Sequence, residues 1–186
     1  MKQLFVLVLA FATHLTFASS NPFLSASVDR SIAINLAQWN GKELTLKIKN
    51  LKGNLVHSEL IHNTRANAVY NLSKLESGDY VMIIEDATVI SSQIIHLGTG
   101  INTDPYASQI FKPSVQVKGN FVYVNTLLLG KSAKVAIYDN DGSELHLEQS
   151  NEAVTYGKIF DISKLGSGNL VITTSGESFS YPIKKS

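Results

Sequence analysis

Alternating apolar and polar positions predict β-strands along most of the chain after its first twenty residues. Residues 44–49 alternate without a break, which is the pattern of a strand with one buried face. Residues 80–84 and 89–95 are apolar and rich in β-branched side chains, which favour strands. Turn residues interrupt these runs every eight to twelve positions, a spacing typical of a sandwich or barrel. The pattern therefore predicts an all-β protein.

The chain contains an internal repeat. Residues 71–80 (NLSKLESGDY) recur as residues 161–170 (DISKLGSGNL). Three landmarks upstream recur as well: Gly41-Lys42 as Gly130-Lys131, residues 44–49 as 133–138, and Lys52-Gly53 as Asp141-Gly142. The offset is 89 residues and becomes 90 after one inserted residue. A nearly constant offset over four separated landmarks indicates a duplication.

The repeat defines the domain organisation. Copy one is predicted over residues 22–98 and copy two over residues 112–186, with residues 99–111 as a linker rich in turn formers. Each copy is predicted to fold as a seven-stranded antiparallel β-sandwich, so the chain holds two such sandwiches in tandem. The strands are expected near residues 24–28, 31–36, 44–49, 55–62, 67–71, 79–85 and 89–96, and again near 113–118, 121–126, 133–138, 144–149, 157–161, 168–174 and 178–183.

The first 18 residues have the order of a secretory signal peptide: a positive start, an apolar run and small residues before a cleavage site expected near Ala18. The remaining chain has no long apolar stretch, so no transmembrane segment is expected after cleavage. Without the signal, the basic residues fall from 16 to 15 (Lys2 is lost) and balance the 15 acidic residues. This neutrality argues against nucleic acid as a partner. The chain has no cysteine, which excludes disulfides and an N-terminal lipid anchor on cysteine. We expect a secreted, periplasmic or cell-surface location.

The repeated segment carries a family resemblance. A glycine in the first hairpin, followed by an apolar-Ser-x-Leu-x-x-Gly-x-Tyr segment, resembles the C-terminal sorting domain of proteins exported by the type IX secretion system (Por) of Bacteroidetes. Copy one matches this pattern at Gly53, Leu72, Ser73, Leu75, Gly78 and Tyr80. Copy two matches it at Gly142, Ile162, Ser163, Leu165 and Gly168, followed by the basic end Lys184-Lys185. The resemblance implies an immunoglobulin-like sandwich and contact with secretion machinery. The family's aromatic-Pro-Asn-Pro opening is reduced here to Asn21-Pro22-Phe23 and Lys112-Pro113.

Two sequence features were weighed as ion or proton-transfer sites. His57 with Glu59 recurs as His146 with Glu148, and residues two apart on a strand share a face. Such a pair is half of a metal site or an acid–base pair, but two ligands do not hold a metal tightly, so a polar strand face is expected. The run 139–142 (DNDG) resembles a calcium-loop fragment. Ile137 stands where that loop needs an oxygen ligand, so a hairpin turn is expected instead.

No catalytic residue, cofactor or metal site is predicted, because the chain lacks a nucleophile elbow or a phosphate-binding loop. The aromatic residues that could contact a ligand are Trp39, Tyr70 and Tyr106, although Leu128 at the position equivalent to Trp39 favours a packing role for that ring. The function expected is that of an exported, non-enzymatic binding or adhesion-type accessory protein, with secretion machinery, a surface protein or a glycan as partner. The alternative is a type IX secretion substrate whose C-terminal sandwich is a sorting signal.

Overall fold

The computed structural model describes residues 22–26, 29–39, 41–62 and 67–185. The predicted signal peptide, residues 1–18, lies outside these ranges. The described chain is all-β, as predicted, and its single short 3-10 turn covers Ala37–Trp39. No helix among the described residues is long and apolar enough to span a membrane.

Copy one forms two layers of antiparallel strands. The first layer has three strands in the order β1-β2-β5, and the second has six, in the order β4-β3-β6-β7-β8 with β9 also paired to β7. The first seven strands lie close to their predicted positions, since the alternation along the chain fixes which face is buried. The strands are β1 (Leu24–Ala26), β2 (Ser31–Asn35), β3 (Leu44–Asn50), β4 (Leu55–Ile61), β5 (Asn67–Asn71), β6 (Gly78–Glu85), β7 (Val89–Leu97), β8 (Ile101–Thr103) and β9 (Ser108–Phe111).

The segment predicted as a linker, residues 99–111, belongs to the sheet of copy one. Strands β8 and β9 both lie within it and both pair with β7, at its C-terminal and N-terminal ends respectively. Ile101 and Ala107 of this segment are buried in the core of copy one. The turn residues that suggested a linker separate two strands too short to show an alternating pattern.

Copy two is built from five strands, two of them long: β10 (Ser114–Lys118), β11 (Phe121–Asp139), β12 (Glu144–Asp161), β13 (Ser167–Thr174) and β14 (Glu177–Lys184). The predicted strands 121–126 and 133–138 are one continuous strand, and so are 144–149 and 157–161. The first part of β11 pairs with β10 and the last part of β12, while its second part pairs with β13 and the first part of β12. Counted by layer, these halves give the seven strands of the predicted sandwich.

The strand β11 crosses between layers at an irregularity. The pairing register with β12 shifts between Leu127 and Lys131, and the intervening Leu129 and Gly130 have φ of 52° and 85°. A left-handed conformation at two successive residues re-aims the strand without ending it. Copy one has the 3-10 turn Ala37–Trp39 at the equivalent place, so its strands are separate there.

Each copy has its own core. The core of copy one is centred on side chains with 0% exposure in both layers, among them Ile32, Ile34, Leu44, Leu46, Met82, Ile84 and Ile95. The core of copy two is centred on Val122, Val135, Leu170 and Ile172, also with 0% exposure. The two cores are distinct clusters, as expected for tandem domains that each bury their own apolar faces.

Candidate functional site

The repeated segment of copy one, Leu72–Gly78, is a crossover that connects β5 of the first layer to β6 of the second and closes one end of the sandwich. Leu72 is buried and its N–H donates to Arg30 O at 2.8 Å, while Leu75 packs against the core and donates from its N–H to Leu72 O at 3.0 Å. Tyr80 opens β6, and its hydroxyl donates to Glu76 O at 3.0 Å. A tyrosine hydroxyl bonded to the backbone a few residues upstream is the corner of immunoglobulin-like sandwiches.

Copy two repeats this geometry with different side chains. Ile162 is buried, its N–H donates to Asn120 O at 2.7 Å, and Leu165 N–H donates to Ile162 O at 2.9 Å. Leu170 takes the position of the corner tyrosine and has 0% exposure. Gly168 is required sterically, because a Cβ there would lie 2.2 Å from Tyr138 O. The motif that suggested the family therefore has a mainly structural basis.

The His-x-Glu pair of copy one lies at an open side of the sandwich, where the two side chains are 44% and 40% exposed. His57 and Glu59 are on the edge strand β4, opposite the buried Ile48 and Leu46, so they share the inward face of the sheet. The His57 Nε2 atom lies 3.1 Å from Glu59 Oε2. Tyr70, on the edge strand β5 of the other layer, donates its hydroxyl to Glu59 Oε1 at 2.5 Å. The cluster therefore bridges the edges of the two layers.

Copy two builds the same bridge from other positions. His146 Nε2 lies 3.1 Å from Glu148 Oε2, and Glu148 also accepts hydrogen bonds from Tyr156 and Lys158. At the position equivalent to Tyr70, Phe160 packs edge-on against the His146 ring at 5.3 Å. The hydroxyl that Phe160 lacks is supplied by Tyr156, which lies four residues earlier on the same face of β12. Both copies therefore place a carboxylate with hydrogen-bond donors around it on this side of the sandwich.

The pKa values of Tyr70, Tyr156 and Glu148 are shifted away from neutral pH. Burial raises the pKa of Tyr70 and of Tyr156, and the hydrogen bond that each donates to a carboxylate raises it further. Burial alone would raise the pKa of Glu148, but hydrogen bonds from Lys158, Tyr156 and His146 outweigh it and hold that pKa at about 2. Such groups keep their protonation states near neutral pH, whereas a general acid or base needs a pKa close to it.

Metal and calcium binding find no support in the geometry. Among the described residues, no group of three or more His, Cys, Asp or Glu side chains could hold a metal ion. At the predicted hairpin, Asp139 Oδ1 accepts hydrogen bonds from the N–H groups of Asp141 and Ser143 at 3.0 and 2.8 Å. Asn50 Oδ1 in copy one accepts from Lys52 and Asn54 in the same way. Asp139 therefore forms the hairpin turn in the same way as the uncharged Asn50 does in copy one.

The three aromatic residues named from the sequence lie in different environments. Trp39 is 3% exposed and packs edge-on against Phe23, with ring centroids 5.7 Å apart. Tyr70 is half-buried in the Glu59 cluster. Tyr106, between β8 and β9, is 67% exposed. Of the three, Tyr106 has the ring surface most accessible to a ligand.

Sequence reasoning missed a histidine held between two aspartates. His96 Nδ1 lies 2.8 Å from Asp79 Oδ1, and His96 Nε2 lies 2.9 Å from Asp104 Oδ1. Both contacts raise the His96 pKa, that of Asp104 more strongly. The three residues come from β6, β7 and the segment after β8, so no local spacing could reveal them.

An outer face of copy two that was not predicted from the sequence carries two exposed aromatic residues and an isoleucine. Phe121, Tyr123 and Ile159 are 44%, 38% and 58% exposed. The strand registers place Ser31, Ala33 and Val69 of copy one at the equivalent positions, whereas the offset of 89 found upstream in the sequence would align Phe121 and Tyr123 with the buried Ile32 and Ile34.

Comparison with known proteins supports the family resemblance. Residues 28–96 match the model of the family described as "Secretion system C-terminal sorting domain". The match lies on copy one and contains all six motif residues from Gly53 to Tyr80. The resemblance to sorting domains is therefore confirmed, with the match falling on the first copy. No curated protein matches the chain.

Several solved structures resemble the chain at low identity. A segment of two fibronectin type III domains from chicken tenascin is 13% identical, covers 89% of this chain and 100% of its own length, and has a TM-score of 0.32. The BSP domain of a biofilm associated protein is 14% identical over 88% of this chain and 29% of its own, with a TM-score of 0.28. A β-glucuronidase of an uncultured Clostridium sp. is 11% identical over 83% and 34%, with a TM-score of 0.30. The chain thus spans about a third of the last two proteins.

Proposed function

We propose that this protein is a substrate of a type IX secretion system, with its sorting-domain-like sandwiches recognised by the secretion machinery. The observation that carries the proposal is the family match over residues 28–96. It is supported by the crossover geometry of copy one, in which Leu72 and Leu75 plug the sandwich and Tyr80 forms the corner. Under this proposal the protein ends at the cell surface or in the medium.

The second copy is proposed to contribute to recognition as well. It repeats the crossover, and β14 ends at Lys184, which Lys185 follows; both residues are exposed. Removing the last six residues would not test this, because Ile183 among them is 1% exposed and belongs to the core. Substitution of the two lysines changes the surface and leaves the strand intact.

Localisation in the native host tests the export proposal. The full chain would be followed by immunoblotting and intact-mass spectrometry in the periplasm, outer membrane and medium of the host and of a mutant lacking the outer-membrane translocon. We expect a surface or extracellular protein in the parent and periplasmic accumulation in the mutant. The same distribution in both strains would rule the proposal out.

The contribution of copy two is tested in the same assay. The double variant Lys184→Ala/Lys185→Ala should accumulate in the periplasm, whereas the matched surface variant Lys52→Ala/Lys74→Ala should be exported like the parent. Lys52 and Lys74 are exposed in the described structure, as Lys184 and Lys185 are. Export of both variants would assign recognition to copy one alone.

A binding role is the second candidate, and a specific feature favours it. The two copies enclose an open groove of about 960 Å³, walled by Phe111 and Lys112 on one side and by the outer face of β10–β12 on the other. Exported substrates act outside the cell, so export and binding are compatible.

A further inference from the structure

The groove between the copies has a floor made by the face of a sheet. Gln116 of β10 lies opposite Tyr123 of β11, which in turn lies opposite Ile159 of β12, while Asn125 lies opposite Gly157. All five residues line the groove. The floor therefore offers an aromatic ring and two side-chain amides, next to a glycine over which a ligand can approach the backbone closely.

The fold does not require these groove residues. Ala33 stands in copy one where Tyr123 stands in copy two, and Asn67 stands where Gly157 stands. A duplicated sandwich that folds with alanine at this position shows that the tyrosine is dispensable for the core. Copy one lacks this aromatic residue. In copy two Tyr123 is 38% exposed, so it lies on the surface and not in the packed interior.

The charged side chains that line the groove indicate which class of ligand could bind there. Lys112 and Lys118 line the groove together with Lys158, whose side chain lies on the opposite face of β12 beside Glu148, and no acidic side chain of a described residue lines it. Lys112 is paired with Glu85 and Lys158 with Glu148. Lys118 forms no ion pair with any residue that the structure describes, and its ammonium lies 5.6 Å from the centroid of the Tyr123 ring. A cation beside an exposed ring suits a ligand that combines an anion with a flat apolar surface.

The paired backbone of β11, the central strand of the floor, argues against an extended peptide lying across the face of the sheet. Residues 121–127 are hydrogen-bonded to β12 on one side, and residues 121–125 to β10 on the other. A peptide added to a sheet gains its affinity from unpaired main-chain groups of an edge strand, which a sheet face does not offer. Recognition here must rest on side chains, and amides with an aromatic ring suit a chain of hydroxyl-bearing rings.

We propose that this groove binds an acidic oligosaccharide, with Tyr123 stacking on a sugar ring, Gln116 and Asn125 bonding its hydroxyls and Lys118 pairing with a carboxylate. The proposal rests on charge complementarity and on the contrast between the copies, and it holds whether or not the chain is a type IX substrate. Lys112 fixes the opposite wall through its bonds to the β6–β7 turn.

Binding measurements on the full mature chain test the proposal. Isothermal titration calorimetry would use oligogalacturonate and oligoalginate as probes, neutral cello-oligosaccharide of equal length as the uncharged control, and poly-glutamate as the acidic peptide. We expect at least one uronate to bind, its affinity to fall with added salt, and the neutral sugar to bind at least about tenfold more weakly.

The variants locate the site. Tyr123→Ala and Gly157→Asn install the residues that copy one carries, and no atom lies within 4 Å of a Cβ at Gly157, so both should fold. Each should weaken uronate binding about tenfold or more, whereas Val69→Ala on the equivalent face of copy one should not. Thermal unfolding of each variant verifies the fold. The proposal is overturned if neither uronate binds, if the groove variants bind like the parent, or if poly-glutamate binds as well as the uronates.

Discussion

Lys112 and Glu85 form the contact that fixes the start of copy two onto copy one. Lys112 Nζ donates to Glu85 Oε1 at 2.6 Å and to Asp86 O at 2.7 Å, and Lys112 N–H donates to Thr88 O at 2.8 Å. Burial would raise the Glu85 pKa, but Lys112 and Lys47 outweigh it and lower that pKa. The residue directly before Pro113 is therefore held to copy one by both its backbone and its side chain.

The substitution Lys112→Ala should loosen this junction. Glu85 keeps its bond from Lys47, so the free energy of unfolding of copy one should fall by only about 1–2 kcal/mol. Trp39 is the single tryptophan and lies in the core of copy one, so its fluorescence in a denaturant titration reports that copy. Small-angle X-ray scattering should show a wider spread of interdomain orientations. Lys164→Ala, at an exposed site in copy two, is the control, and scattering unchanged from the parent in Lys112→Ala would contradict the assignment.

Gln93 connects three segments through the core of copy one, and its loss should be costly. Its Oε1 accepts from the N–H groups of Phe23 and Leu24 at 3.1 Å each, and its Nε2 donates to Asp104 O at 2.6 Å. The variant Gln93→Leu leaves these buried backbone groups unpaired, so we expect a loss of about 2–4 kcal/mol by Trp39 fluorescence. Gln149→Leu, at an exposed position of copy two that Trp39 does not report, should change the free energy of unfolding measured by calorimetry by less than about 0.5 kcal/mol. Equal effects of the two variants would refute a bridging role for Gln93.

The segment after β8 should be held more firmly in acid than in base. Asp104 and Asp79 raise the His96 pKa above its usual 6.5, so the charged ring is favoured in the folded state. The resulting stabilisation is fully present below pH 6.5 and is lost as the pH rises through the raised value. Amide exchange of residues 101–104, corrected for the intrinsic effect of pH, should therefore show less protection at pH 9 than at pH 6. The variant His96→Gln should abolish this difference, and a persisting difference would point to another group.

Gly168 should tolerate no side chain, while Gly166 two residues earlier should. A Cβ at position 168 meets Tyr138 O at 2.2 Å, whereas one at position 166 meets nothing within 4 Å. The variant Gly168→Ala must displace the β11–β13 pairing, so the unfolding free energy of copy two should fall by about 1–3 kcal/mol. Calorimetry of Gly168→Ala and Gly166→Ala gives the comparison, and equal melting temperatures would show that the backbone relaxes freely there.

The sequence was sufficient to predict the sandwich fold and the positions of β1–β7, but not β8 and β9, which lie in the segment expected to be a linker. Alternation such as that of residues 44–49 fixes the buried face directly, and the crossover Leu72–Gly78 is local enough to recognise from its letters. The continuity of β11 was not predictable, because it depends on Leu129 adopting a positive φ, which leucine rarely does.

The candidate sites were predicted less completely. The pairs His57–Glu59 and His146–Glu148 follow from a spacing of two along a strand. Their partners Tyr70 and Tyr156 come from another strand or a later part of the same one, and their distances depend on how the layers pack. The groove depends on two copies meeting at Lys112, which neither repeat encodes alone.

The long strands β11 and β12 give copy two a mechanical character that copy one lacks. In copy one, β2 and β3 are separate strands, so its two layers are joined by connecting segments and can part while each stays hydrogen-bonded. In copy two, the strands β11 and β12 run through both layers and are paired from Phe121–Asp161 to Tyr138–Glu144, interrupted by register shifts such as the one between Leu127 and Lys131. Tension applied along the chain would therefore extend copy one in steps, whereas copy two would resist as one unit and then yield at once.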